Sequence, residues 1–261
     1  MIDIRENEQL SMLNHSCAHM MAQAVKRLYP QAKFWVGPVI SDGFYYDIDL
    51  GDDVIKDEDL PKIEKEMKKI AKDGKRIVRK EISKEEALEM FADDPYKIDL
   101  IQDLEDGTIT CYQQGEFIDL CRGPHVETVK LLKNFKLLKH SGAYWKGDAE
   151  NKMLQRIYGV CYPTKEELEE HLHMLEEAKK RDHKKLGREM GLFMMSEYAP
   201  GMPFFLPNGM IIRNLLENFW YEEHTKENYK FIKTPIMMSK ELWEVSGHWA
   251  NYKENMYTTM V

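Results

Sequence analysis

The sequence lacks several features that would place it in a specialised class of protein. Its 261 residues include only four cysteines, too few for a disulfide scaffold, so we expect thiols or metal ligands. No apolar run approaches the roughly 20 residues that a membrane-spanning helix needs. The polar, acidic start MIDIRENEQL does not have the pattern of a signal peptide. These absences favour a cytoplasmic globular protein without a membrane partner.

An excess of basic residues is also missing. The chain has 37 Lys and Arg against 45 Asp and Glu, a formal net charge of −8. Proteins that hold nucleic acid mainly by non-specific charge are usually basic. Any contact with RNA must therefore come from a local patch, so the charge neither demands nor excludes an RNA partner.

The first part of the chain, about 160 residues, has an α+β pattern. An amphipathic helix is predicted over about Glu8–Leu28, with Asn7 as a candidate N-cap. Residues 44–50 alternate as a strand with one apolar face. The remaining predictions are helices at 57–75 and 83–93, strands at 32–36 and 76–82, and mostly strands and turns from 107 to 162, including AYWKG at 143–147.

At Pro163 the sequence changes from a pattern of strands and turns to a pattern of charged helices. A capping box of Thr164 and Glu167 opens a long charged helix that is predicted to run to about Met190. A loop containing Pro and Gly follows, then a second long helix at 210–229 and a strand at 230–237. This C-terminal piece is too small to be expected to bury a core of its own.

Two clusters carry residues suited to chemistry. In HSCAH, His15 and His19 stand one helical turn apart, so both rings project from the same face. In DLCRGPH, Asp119 precedes a Gly-Pro turn that can aim Cys121 and His125 at one point. Together they suit either a tetrahedral metal site of the three histidines and the cysteine or a hydrolytic pocket that orients water and shuttles protons.

Other features are less specific. HSCAH is not the HExxH motif of zinc proteases, because Ser16, and not a glutamate, follows His15. Lys97 is interpreted either as a surface lysine or as a cation that serves an ester carbonyl or phosphate. The SGAYWKGD segment at 141–148 suits stacking on a single-stranded nucleic-acid end, but a strand-and-turn core explains its aromatic residues equally well.

A series of motifs, in order along the chain, resembles bacterial-type threonyl-tRNA synthetases of class II. They are HSCAH, GPVISDGFYYDIDL, DLCRGPH, SGAYWKGD, NKMLQRIYG, KRDHKKLG and SGHWANYKENMYTT. HSCAH with CRGPH also resembles the signature shared by the editing domains of threonyl- and alanyl-tRNA synthetases. The resemblance implies an editing domain at 1–162, a helical linker at 163–191, and the start of a class II catalytic domain at 192–261. Its motif 1, ending at Pro235, would build a homodimer interface.

The departures from this family define what we expect of the chain. No ubiquitin-like domain precedes residue 1, and motifs 2 and 3 and the anticodon-binding domain are not found. The parent family uses ATP, Mg and a catalytic zinc, whose sites would lie beyond residue 261. We therefore expect a fragment whose one complete active site is the editing site and which does not aminoacylate tRNA.

The resemblance implies hydrolysis of mischarged Ser-tRNA(Thr) at the tRNA 3′ end. It also implies no DNA partner. Lys97 or a histidine would stabilise the oxyanion, and a neutral histidine or Asp119 would orient water, while the general base stays open. The implied catalytic residues are His15, His19, Lys97, Asp119, Cys121 and His125, with Tyr46 as a substrate contact.

The sequence leaves alternatives open both for the presence of a metal and for the function of the chain. We favour a metal-free pocket, with zinc possible at His15, His19, Cys121 and His125. One alternative function is a non-catalytic tRNA-binding or dimerising fragment whose editing needs the missing domains. Another is a metal-dependent hydrolase of a small ester, which would act on free seryl esters without tRNA.

Overall fold

The computed structural model describes residues 3–105, 107 and 109–258. The chain divides into two compact units between Lys180 and Arg181. The first unit confirms the α+β prediction. Its helices are α1 Glu8–Leu28, α2 Leu60–Asp73, α3 Lys84–Met90, α4 Pro95–Gln102 and α5 Lys165–Lys180. Its strands are β1 Lys33–Phe34, β2 Val39–Ile40, β3 Gly43–Asp49, β4 Ile77–Ile82, β5 Ile109–Gln114, β6 Phe117–Leu120, β7 Asn134–Tyr144 and β8 Met153–Tyr162.

Two antiparallel sheets frame this unit. The larger sheet has the order β1-β3-β8-β7, with β2 also paired to β3, and the smaller has the order β4-β5-β6. As predicted, the alternation in β3 turns Phe44, Tyr46 and Ile48 to one buried face. The helices α1 and α2 join this face in the main core, so the sheet supports the helix that carries the two histidines.

Specific hydrogen bonds fix the position of α1 along the strands of the large sheet. The predicted N-cap is confirmed, because the Asn7 side chain accepts hydrogen bonds from the Gln9 and Leu10 N–H groups. Further along, the buried Asn14 side chain donates to the Cys161 carbonyl and accepts from the Cys161 N–H, both at 2.9 Å. These two bonds fix the position of α1 along β8.

The helix α4 is not among the predicted elements. Asp94 is its N-cap and accepts from the N–H groups of Tyr96 and Lys97, and Pro95 is its first residue, a combination that starts helices. The helix turns Lys97 inward, where it is 3% exposed. The segment AYWKG, predicted to belong to a region of strands and turns, contains both, because β7 ends at Tyr144 and a 3₁₀ turn follows over Trp145–Gly147.

The predicted long charged helix is two helices. It ends as α5 at Lys180, and α6 covers His183–Glu189. The break follows from Asp182, whose side chain caps α6 by accepting from the Lys184 and Lys185 N–H groups. Within the first unit, Leu168 joins a small apolar cluster with Val160 of β8.

The second unit consists mainly of exposed helices. After α6 it contains β9 Phe193–Met194, β10 Phe204–Phe205, α7 Pro207–Lys226, α8 Lys240–Val245 and α9 His248–Tyr252. Gly187 and Gly209 are its only buried residues among those described, in agreement with the expectation that it buries no core. The predicted strand at 230–237 is wrong for this structure, because no described strand pairs with it.

None of the described helices is both long and apolar enough to cross a membrane.

Candidate active site

The two predicted clusters meet in one pocket. His15 and His19 come from α1, and Cys121 and His125 come from the turn that follows β6; one potential ligand atom from each lies within 4.8 Å of the others. The Cys121 Sγ is 3.2 Å from the Nε2 of His15 and 3.2 Å from the Nε2 of His125. The structure thus brings together residues that are about a hundred positions apart in the sequence.

The turn after β6 depends on Gly123. This residue has φ +73°, in the left-handed region, and an added Cβ would come within 2.2 Å of the Tyr112 hydroxyl. Its N–H donates to the Cys121 Sγ at 3.2 Å. Glycine is therefore required here both by the backbone conformation and by the close approach of Tyr112.

Ser16 joins α1 to this turn, although it is not among the functional residues predicted from the sequence. The buried Ser16 Oγ accepts from the Val126 N–H at 3.0 Å and lies 3.0 Å from the His125 Nδ1. This contact leaves the His125 Nε2 directed at Cys121. The available signal was a serine inside a buried helical stretch, between the two histidines.

We expect Ser16→Ala to destabilise the protein by about 1–3 kcal/mol, because the buried Val126 N–H loses its acceptor. The matched control is Ser11→Ala on the same helix, since the Ser11 side chain makes no hydrogen bond to the described residues. Its expected change is within about 0.5 kcal/mol. Urea denaturation of both variants measures the difference, and equal midpoints would show that the Ser16 contacts stabilise nothing.

A buried ion pair lies behind the histidines. The Lys97 Nζ is 2.6 Å from the Asp119 Oδ1, and it also donates to the Trp35 carbonyl at 2.9 Å and to the Tyr46 hydroxyl at 3.2 Å. The Tyr46 hydroxyl in turn donates to the Asp119 Oδ2. The ammonium group has three N–H donors, so all of them have partners.

This second layer is more deeply buried than the pocket that it supports. Lys97 is 3% exposed, Tyr46 1% and Asp119 1%, and the Asp119 Oδ2 is 3.7 Å from the His19 Nε2. The predicted contacts of Lys97 and Tyr46 with substrate stay predictions. In this geometry both side chains hold Asp119, and Asp119 faces His19.

Burial determines the charge state of the pocket. It lowers the pKa of His15 below its ordinary value, although a hydrogen bond to the Pro124 carbonyl opposes the shift. Burial, and then the neighbouring His19 and His15, lower the pKa of His125 to about 2. Burial also raises the pKa of Cys121 to about 12. Without a metal, the pocket at neutral pH therefore contains neutral imidazoles and a thiol.

Two clefts reach the pocket from solvent. One, of 490 Å³, is lined by His15, Met12, Gly123 and Pro124 among others. The second, of 640 Å³, is lined by Cys121, Arg122, Ile109 and neighbouring residues. His15, Cys121 and His125 are partly exposed, whereas His19 is 4% exposed. A ligand can therefore touch the first three, and His19 lies on the inner wall.

The four residues also fit a zinc ion. Tetrahedral zinc with bonds of about 2.0–2.1 Å to nitrogen and about 2.3 Å to sulfur places its ligand atoms roughly 3.3–3.6 Å apart. The Cys121 Sγ lies 3.2 Å from each of two imidazole nitrogens, and all four ligand atoms lie within 4.8 Å of one another, so small side-chain shifts would bring them to these separations. Ser16 at the other nitrogen of His125 is the outer contact that zinc-bound histidines usually have.

The SGAYWKGD segment does not join the pocket residues described above. The Trp145 ring packs edge-on against Tyr96 with a centroid separation of 5.3 Å. The Lys146 Nζ is paired with the Asp99 carboxylate at 2.8 Å. These contacts with α4 favour the structural interpretation of the segment.

Comparison with known proteins agrees with the resemblance seen in the motifs. Residues 109–158 match the family described as the threonyl and alanyl tRNA synthetase second additional domain. This match covers β5 to β8 almost completely and includes the turn with Cys121 and His125.

Similarity to individual proteins covers the whole chain. The chain is 55% identical over 260 residues to a threonine–tRNA ligase of Desulfatibacillum aliphaticivorans, covering 100% of the chain and 41% of that protein. It is 52% identical over 275 residues to that of Clostridium tetani, covering 100% of the chain and 43% of the relative. With threonine–tRNA ligase 2 of Bacillus subtilis it shares 53% identity over 263 residues, covering 100% and 41%.

The chain spans about two fifths of the length of the curated relatives it matches. The match includes the α+β unit with its pocket, the charged helices and the exposed helix α7. Over its whole length the chain is therefore similar to one part of the threonine–tRNA ligases of these bacteria, and residues 109–158 carry the match to the second additional domain.

Proposed function

We propose that the pocket hydrolyses the ester of Ser-tRNA(Thr), and that it does so in the cytoplasm. The observation that carries this proposal is the convergence of His15 and His125 on the Cys121 thiol, with His15 bordering one open cleft and Cys121 another, in a chain that matches threonine–tRNA ligases. Threonine and serine differ by one methyl group, which discriminates by only about 1–3 kcal/mol in a binding pocket. A second pocket that hydrolyses the smaller product raises the overall accuracy.

The chemistry follows from the charge states. His15 is neutral and borders the open cleft, so we assign to it the orientation of the attacking water. As the water oxygen bonds to the ester carbonyl carbon, a neutral imidazole accepts the water proton. The ester C–O bond then breaks, and the ribose oxygen leaves with a proton. His19, held beside Asp119, completes the inner wall.

Ring packing supports a sieve against the threonine methyl group. His125 has its ring centroid 4.4 Å from those of His15, His19 and Tyr112. Because rings at this separation are in contact, the imidazole has little room to move aside. An extra methyl group at this wall would require displacement of a packed ring, so the larger substrate is expected to react more slowly.

We favour water-based hydrolysis by the side chains alone, although the ligand set fits zinc. A bound zinc would polarise the ester carbonyl or activate a water. The expected result is that deacylation by the purified chain persists after dialysis against a chelator. The measurement is the deacylation rate together with the zinc content. One tightly bound zinc, lost together with activity on His15→Ala, would contradict the metal-free pocket.

The test of the proposed function is deacylation of Ser-tRNA(Thr) and Thr-tRNA(Thr) by the purified chain. An enzyme shows turnover that Cys121→Ala or His15→Ala abolishes, whereas a binding module shows affinity for tRNA without turnover. Hydrolysis of free seryl esters without tRNA would instead support a general esterase.

The exposed surface of the second unit supports a further part of the proposal, which is that the protein forms a homodimer. The helix α7 exposes large apolar side chains to an extent that is unusual for a soluble surface. They include Ile211 at 59%, Leu215 at 64%, Leu216 at 64% and Phe219 at 62%. As part of the same proposal, we assign this helix to a homodimer interface, and the parent enzyme to ligation of threonine to tRNA(Thr) with ATP and Mg.

A further inference from the structure

A groove on the first unit collects positive charge in a chain of net charge −8. Its volume is 220 Å³, and it is lined by Lys68 and Lys72 of α2, by Lys133, and by the buried Ala71 and Phe135. All three lysines are exposed. Three ammonium groups thus surround a small concave surface with an apolar floor.

These charges are not neutralised within the part of the chain that the structure describes. There, the side-chain ammonium groups of Lys68, Lys72 and Lys133 make no ion pair and no hydrogen bond. The carboxylates of α2 are engaged by other cations. Lys136 holds Glu64 at 2.9 Å, Lys69 and Arg27 hold Glu66, and Arg27 lies 4.0 Å from Asp73.

Repulsion among the three lysines of the groove is expected to lower the stability of the protein slightly when nothing is bound there. Lys68 and Lys72 are four residues apart on one helix, and like charges at this spacing destabilise a helix by a few tenths of a kcal/mol. Lys133 adds a third positive charge to the same groove. A bound polyanion would turn this repulsion into attraction, with release of counterions.

The groove lies on the same unit as the pocket and near it in the chain. Lys133 follows His125 by eight residues, which span at most about 26–29 Å even when fully extended. The segment between them is fixed at Val126, bonded to Ser16, and at Thr128, whose hydroxyl donates to the Gly74 carbonyl at the end of α2. One RNA molecule can therefore reach both places.

We propose that Lys68, Lys72 and Lys133 bind the phosphate backbone of the tRNA whose 3′ end enters the pocket. This proposal rests on the proposed function for the identity of the RNA. It supplies the local basic patch that an acidic chain requires for contact with RNA. The lysines make phosphate contacts only, so they contribute affinity without reading the base sequence.

The test is binding of fluorescently labelled, uncharged tRNA(Thr) to the full chain, measured by anisotropy over a series of salt concentrations. We expect the triple variant Lys68→Ala/Lys72→Ala/Lys133→Ala to bind about 10- to 100-fold more weakly at low salt. The slope of log K against log salt should fall by about 2–3, since each phosphate contact contributes roughly 0.7–0.9. The corresponding triple Arg variant should keep the affinity, because the charges are retained.

The matched control removes the same charge elsewhere on the unit. Lys165, Lys179 and Lys180 lie on α5 and pair with Glu169, Glu176 and Glu177, so their triple Ala variant should bind almost as the parent chain does. An equal loss of affinity in both triple variants would overturn the proposal. Since uncharged tRNA needs no hydrolysis, this result is independent of whether the chain deacylates Ser-tRNA(Thr).

Discussion

Lys97→Ala is expected to destabilise the first unit by about 3–5 kcal/mol, because it leaves the carboxylate of Asp119 buried without its cation. Both partners are at most 3% exposed, so hydration compensates little for the lost charge. The measurement is the free energy of unfolding from urea titration. Deacylation should be lost as well, because Asp119 would no longer be held beside His19.

Two further variants separate the ion pair from general effects. Lys165→Ala removes an exposed partner of Glu169, and such a surface pair contributes only about 0–1 kcal/mol. The double variant Lys97→Met/Asp119→Leu removes both buried charges, so it should recover much of the lost stability but not the activity. A Lys97→Ala protein as stable as the Lys165→Ala protein would contradict the buried pair.

His15→Ala is expected to lower the rate of Ser-tRNA(Thr) hydrolysis by about 10²–10⁴-fold, the usual contribution of a positioned acid–base group. His15 is the histidine that borders the open cleft and touches the Cys121 thiol. The measurement is the single-turnover rate at saturating enzyme, which isolates the chemical step from binding.

The control for this prediction is another histidine of the same unit. His140 lies on β7, where its Nδ1 is 2.8 Å from the Asp57 carboxylate, and it is not among the pocket residues. His140→Ala should therefore deacylate at the parental rate. If His15→Ala also kept the parental rate, water orientation by His15 would be wrong, and His125 would be the next residue to replace.

Local patterns in the sequence predicted those parts of the fold that depend on local chemistry. The helix at Glu8–Leu28, its Asn7 cap and the strand face of Phe44, Tyr46 and Ile48 are all as expected. The capping box of Thr164 and Glu167 also forms. In each case the signal is complete within a few residues, because caps and alternation involve near neighbours along the chain.

The misses depend on partners that are distant in sequence or on competing local signals. Residues 230–237 have strand composition, but a strand requires a neighbour to pair with, and none is described. The helix α4 was not predicted, although Asp94 as its N-cap and Pro95 as its first residue are local signals for a helix start. Asp182 interrupts a charged run that periodicity alone extended to Met190.

The candidate site was likewise predictable in its residue types but not in the contacts between separate elements. The residue types of HSCAH and DLCRGPH, with Asp119 among them, indicated a pocket. The resemblance to editing domains assigned Lys97 to it and added Tyr46. The sequence could not show that Lys97 uses its three donors internally. Nor could it show that Ser16 sets the direction of His125, since both facts depend on how separate elements pack.

Parallel deacylation of Ser-tRNA(Thr) and Thr-tRNA(Thr) by the purified chain, with and without a chelator, is the decisive experiment. Selective editing by the pocket predicts loss of serine and retention of threonine, unchanged by the chelator and strongly slowed in His15→Ala. Hydrolysis of neither substrate, although tRNA still binds, would contradict it and make the chain a binding module. Equal hydrolysis of both would show that the packed rings around His125 do not exclude the methyl group.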